Sequence, residues 1–137
     1  MANKAERIIL DSNLWISFLI TKDFTKLDTI LFSKQAILLF SNELLDEFIT
    51  VVKRPKFKKY FNNSDITSLI SIIEKYAEFV SVKNKLTICR DEKDNFLLSL
   101  AKEGNADYLI TGDNDLLSIK KLGQTKIITI TEYLAIL

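Results

Sequence analysis

Four carboxylates fall at or beside the ends of predicted elements, Asp11, Asp94, Asp113 and Asp115, and a fifth, Glu47, lies on a helix between Leu44 and Phe48. The chain has no histidine and a single cysteine, Cys89, so histidine bases, thiolate-imidazole zinc clusters and intrachain disulfides are excluded. What remains is carboxylate chemistry. Several such groups in one crevice repel one another and resist leaving water, and a divalent cation reverses that balance. Mg2+ is a hard ion that accepts carboxylate oxygens and keeps water, and Mn2+ can use the same ligands. Such an ion lowers the pKa of water and stabilises charge developing on a phosphate, which permits hydrolysis without histidine, with one metal or with two.

These acids need a scaffold that brings distant segments to one place. "RIILD" is a short apolar run ending at Asp11 and reads as a buried strand, with a helix opening after "DSN". A helix over 24–33 is followed by the strand "AILLFS". "NELLDEFITVVKR" then sets Leu44, Leu45, Phe48, Ile49 and Val52 at helical spacing behind Ser41 or Asn42 as cap. Pro55, the only proline, ends that helix. "NNSD" starts another, with Ile66, Leu69, Ile70 and Ile73 on one stripe, before a strand "EFVSV". The last third reads as a helix through "EKDNFLLSLAKE" closed by Gly104 or Asn105, a strand "DYLIT", a turn into a short helix at "GDNDLLSI" and a strand "KIITI". Thr129 and Glu132 form a capping box for the terminal helix. Repeated strand-helix alternation without a linker predicts an α/β fold, a three-layer α/β/α domain around a mainly parallel sheet. In such a sheet the strand ends open on one crevice, so Asp11 and Asp113 can meet although far apart in sequence, with Asp115 in reach through the "GDND" turn.

Each acid also has an ordinary reading. Asp11, Asp94 and Asp113 are good helix caps, and Glu47 is an unremarked helix residue taken alone. Their coincidence at element ends is the stronger signal.

Composition narrows the rest. The 137 residues suit one domain, expected to span 1–137, and 47% hydrophobic with 27% charged residues excludes general disorder. The net charge of +1 gives no bulk attraction to nucleic acid, so any such binding rests on local charge. "MANKAERIILD" does not read as an exported N-terminus, and the apolar runs are too short for a membrane span, so a soluble cytoplasmic protein without a membrane partner is expected.

The motifs "ILDSNLW", "SNELLDEF", "RDEKDNFLLSLA" and "ADYLITGDNDLL" together resemble the PIN-domain family, in particular its toxin-antitoxin ribonuclease branch. The resemblance runs over nearly the whole chain and keeps the family's motif order. It implies a PIN-like fold, Mg2+- or Mn2+-dependent hydrolysis of RNA, a homodimer and an antitoxin protein as partner. Asp11, Glu47, Asp94 and Asp113 match the four acids of the family, and Asp115 an auxiliary acid. Asn13 resembles the polar neighbour in the first motif and Ser41 the small hydroxyl residue supporting the site. By the same likeness Asp11, Asp94, Asp113 and Asp115 are the metal residues, while Glu47 orients or deprotonates the attacking water. Asp91 reads as a supporting or surface residue. Glu92 stands where this branch often has proline, a change that removes no ligand.

Thr111 and Gly112 shape the late turn. "KRPKFKK", over 53–59, holds five cations and is read either as a solvated helix end or as a contact for RNA phosphate or an acidic partner; Phe57 and Tyr60 beside it are read first as core, with stacking on bases as the alternative. Trp15 and Cys89 read as packing residues. The apolar stripe in "ITSLISIIEKY" serves self-association or the core of the monomer. Two alternatives stand beside the ribonuclease: a metal-dependent phosphatase, disfavoured because Asn13 replaces the second acid of an Asp-x-Asp pair, and a PIN-like binding domain without catalysis, which the intact acids argue against.

Overall fold

A computed structural model describes residues 5–32 and 36–136. Six strands form one sheet in the order β3-β2-β1-β4-β6-β5, with β1 Glu6–Leu10, β2 Ala36–Phe40, β3 Ala77–Phe79, β4 Tyr108–Ile110, β5 Lys121–Leu122 and β6 Thr125–Ile128. All pairings are parallel except β5 with β6. Ile8, Ile9 and Leu10 are consecutive and all buried, as are Leu38, Leu39 and Phe40. Successive strand residues point to opposite faces, so both faces of the sheet must be covered. The helices provide that cover, giving the expected three-layer α/β/α arrangement.

The helices are α1 Ser12–Thr21, α2 Thr25–Phe32, α3 Asn42–Val52, α4 Asn63–Tyr76, α5 Glu92–Glu103, α6 Asn114–Leu117 and α7 Ile130–Ala135. A turn of 3-10 helix at Pro55–Phe57 separates α3 from α4. Ser41 caps α3 by accepting from the Leu44 amide at 3.0 Å, and Asn62 and Thr129 each head a full capping box. Trp15 lies fully buried, edge-on to Phe18 and Phe40. The stripe Ile66, Leu69 and Ile73 of α4 is consumed by this core, leaving Ile70 half-buried.

At the close of α5, Gly104 is required by space: an added Cβ would lie 2.8 Å from Leu39 Cδ1 and 3.1 Å from the Leu100 carbonyl oxygen. Asn105 takes the left-handed conformation at φ 51°. Two local expectations shift. The first helix starts at Ser12, directly on Asp11, and the "EFVSV" strand is confined to Ala77–Phe79. The two-residue β5, returning through Gly123 at φ 58°, carries no periodic signal in the sequence.

The sheet order sets the position of the site. From β1 the chain builds outward through β2 to β3, then crosses by α5 to β4 on the other side of β1. The C-terminal ends of β1 and β4 thus flank the point where the winding reverses, where open α/β sheets form their crevice.

Candidate metal centre

Asp11 follows β1 directly, and its amide donates to the Ile110 carbonyl at 3.0 Å, joining the end of β1 to the end of β4. It is 2% exposed and caps α1, its Oδ1 accepting from the Asn13 amide at 3.2 Å. Its Oδ2 accepts from the buried Thr111 hydroxyl at 2.7 Å. That same hydroxyl oxygen accepts from the Asp113 amide at 3.0 Å, so one side chain ties the two strand-end acids together. Thr111 is held in turn by its amide, which donates to Ile128 of β6.

Asp113 caps α6, accepting from the Asp115 amide at 2.8 Å, which turns Asp115 toward the same place. Asp94 comes from α5, whose cap is Asp91, accepting from Lys93 at 2.9 Å. Asp94, Asp113 and Asp115 each present a carboxylate oxygen, and the three lie within 4.8 Å of one another. They grade from buried through half-buried to exposed, so the group is rooted in the fold and open to solvent on one side.

The electrostatics record the crowding. Asp94 is 4% exposed, and its pKa is raised from 3.8 to about 6, first by burial, then by the charge of Asp113 and a hydrogen bond with it, then by Asp91 and Asp11. Asp94 stands in the first turn of α5, where the helix dipole favours a carboxylate. The net shift is nonetheless upward, so burial and like charge outweigh the dipole. A group of hard oxygen donors with more carboxylates than neighbouring cations is the chemistry that suits Mg2+ or Mn2+, so the residues present fit such an ion. Burial and the same acids push the Cys89 thiol up, which keeps it a protonated packing residue rather than a reactive thiolate.

The other expected residues stand as follows. Glu47, on α3, lies outside the three-acid group; its Oε1 is 4.0 Å from Lys93 Nζ, next in sequence to Asp94. Both line a cleft of about 390 Å³ with Glu43, Glu92 and Phe96. Asn13 is exposed and contributes its amide, Ser41 acts through the α3 cap, and Asp91 caps α5. Gly112 has no atom within 4 Å of an added Cβ, which leaves open space over the late turn.

Sequence reasoning passed over three supports. The sequence points to the Thr111 backbone, in the turn and toward phosphate, whereas it is the side chain that bridges Asp11 and Asp113. Arg90 lies 3.5 Å from Asp115, a pairing that its exposed position in a loop gave no sign of. Along α5, Asn95, Ser99 and Glu103 recur every four residues and bind the strap over 80–90: Asn95 Oδ1 accepts from Ile88 and Cys89, Ser99 Oγ from Leu86, and Glu103 Oε1 from Lys83 and Asn84. That i, i+4, i+8 polar row was the available signal.

Comparison with known proteins agrees with this geometry. A family model described as the PIN domain matches residues 7–115. An uncharacterised protein of Methanocaldococcus jannaschii is 28% identical over 117 residues, covering 83% of this chain and 75% of that protein. A valine-tRNA ligase of Mycoplasmopsis synoviae is 35% identical over 92 residues, 58% of this chain, and the match spans only 11% of that enzyme. No solved structure matches. Among the described residues, no helix is long and apolar enough to cross a membrane.

Proposed function

This chain belongs to the PIN-domain family, and from that membership together with its acid cluster we propose that it is a Mg2+- or Mn2+-dependent ribonuclease hydrolysing RNA phosphodiester bonds. The observation that carries the reading is the convergence of Asp94, Asp113 and Asp115 within 4.8 Å at the strand ends of a parallel sheet. These three would hold the ion, with Asp11 completing the acidic surround through Thr111. When bound, the ion supplies neutralisation of charge on the phosphate and a more acidic water.

The chain's own residues supply the rest. Thr111 holds the Asp11 carboxylate by donating to it and the Asp113 backbone by accepting from its amide, so both acids are positioned before substrate arrives. Glu47 is the proton acceptor for the attacking water, with Lys93 Nζ 4.0 Å from its Oε1. The open space over Gly112 admits the phosphate. The proposal extends to a single nuclease domain over 1–137, acting as the toxin of a toxin-antitoxin pair and as a homodimer; the resemblance of the four motifs supports these points.

The test is cleavage of a diverse RNA pool with added Mg2+ or Mn2+, comparing wild type with Asp11→Asn, and circular dichroism to check folding. The variant is expected to fold and to lose most metal-dependent cleavage. A folded variant cleaving like wild type with the same metal response would remove Asp11 from the site.

A further inference from the structure

The segment between α3 and α4 is unlike the rest of the surface. No acid occurs from 48 to 64, while Lys53, Arg54, Lys56, Lys58 and Lys59 are all exposed, and among the described residues none of them pairs with a carboxylate. Five unpaired cations on one turn create a local field that the net charge of +1 conceals.

Aromatic rings are interleaved with these charges, and they divide into two kinds. Phe57 and Phe61 stack on each other at 5.7 Å, and Phe61 is buried, so this pair anchors the turn. Tyr60 takes no part in that anchoring: it is 41% exposed, and Lys59 Nζ lies 5.1 Å from its ring centre. Lys53 and Lys58 line a groove of about 500 Å³ with Phe61 and Asn63, between the end of α3 and the start of α4. The eleven residues of α3 span about 16 Å, so this surface lies one helix length from Ser41, where α3 leaves the sheet.

We infer that the segment 53–60 is a holding surface for single-stranded RNA, in which the lysines and Arg54 track the phosphates and Tyr60 stacks on an unpaired base. Cations alone would suit any polyanion. An exposed ring amid them adds a flat face that every base matches, and only unpaired bases offer theirs freely. This deepens the ribonuclease reading and rests on it, because it supplies a grip on substrate away from the acids, which repel phosphate until a cation is bound.

The test measures binding without cleavage. Fluorescence anisotropy of a labelled single-stranded RNA of mixed sequence is followed in EDTA across a KCl series, using the full chain, a Lys56→Gln/Lys58→Gln/Lys59→Gln variant and Tyr60→Ala. All substitutions are at exposed positions, and circular dichroism verifies folding. The triple variant is expected to bind about tenfold more weakly or worse, with the slope of log affinity against log salt reduced by about 2. Tyr60→Ala is expected to bind about fivefold more weakly or worse with the slope unchanged, and to leave binding of the same RNA as a duplex unaltered. Unchanged affinity and slope in the triple variant would overturn the proposal. So would polyglutamate binding as tightly as RNA with no effect of Tyr60→Ala, which would assign the surface to an acidic protein. Cleavage is scored separately with Asp94→Asn: patch-independent binding with intact metal-dependent cleavage sinks only the holding surface, and patch-dependent binding without any cleavage sinks only the ribonuclease reading.

Discussion

Replacing Asp94 with asparagine is expected to stabilise the metal-free protein above pH 6 while abolishing its response to Mg2+. The wild-type carboxyl has its pKa raised from 3.8 to about 6 in the folded state, by burial and by the charges of Asp113, Asp91 and Asp11. Between these values the folded protein retains the proton that the unfolded chain has released. Stability from this group is therefore fully present below pH 3.8 and is lost as pH rises through 6. The whole shift is worth about 3 kcal/mol at most, and solvent on the open side of the cluster reduces it to about 1–2 kcal/mol. Asparagine is neutral at every pH and can still donate to Asp113, so it imitates the protonated acid. Thermal melts in EDTA from pH 4 to 8 should give curves that coincide near pH 4 and diverge to about 3–8 °C in favour of the variant by pH 7. Added Mg2+ should close that gap by stabilising wild type alone. Melting temperatures that stay parallel from pH 4 to 7 would refute the account of a strained acid cluster.

Three other substitutions probe the supports. Thr111→Val removes the hydroxyl between Asp11 and Asp113 and should lower stability by about 1–3 kcal/mol and weaken Mg2+ affinity in calorimetric titration. Gly104→Ala drives a methyl group onto Leu39 and the Leu100 carbonyl and should lower denaturant stability by about 1–3 kcal/mol, with cleavage per folded molecule unchanged. Asn95→Ala unpins Ile88 and Cys89 and should speed hydrogen exchange at those two amides while leaving β1 and β4 protected.

The elements that sequence made legible are those whose neighbours leave no choice. "RIIL" reads as a strand covered on both faces, and an acid directly after it must lie at the C-terminal end of that strand, where Asp11 is found. The Thr129-Glu132 box was readable because both partners are three residues apart. What escaped depends on partners distant in sequence. Thr111 is an ordinary strand-end hydroxyl until Asp11, 100 residues earlier, is beside it. The contact of Glu47 with Lys93 was hidden in the same way, since its partner stands on another helix. The strap over 80–90 has no periodicity of its own, since its hydrogen bonds are made by side chains of α5. Tyr60 read as core because aromatic residues usually are, and local charge alone could not reveal its exposure.

The crossing of the chain by α5 also governs when the acid centre comes into being. Up to Glu103 a growing chain carries Asp11, Glu47 and Asp94, but β1 still has a bare edge where β4 belongs. Thr111, Asp113 and Asp115 belong to the last quarter of the chain, and the place of β4 between β1 and β6 is what sets Asp113 and Asp115 beside Asp94. The charges that raise the Asp94 pKa therefore come in part from a segment that follows α5 in the chain, Asp113 chief among them. A chain that stopped before β4 would carry Asp94 without Asp113 and Asp115, so the three-acid group exists only once that strand and the turn after it are in place.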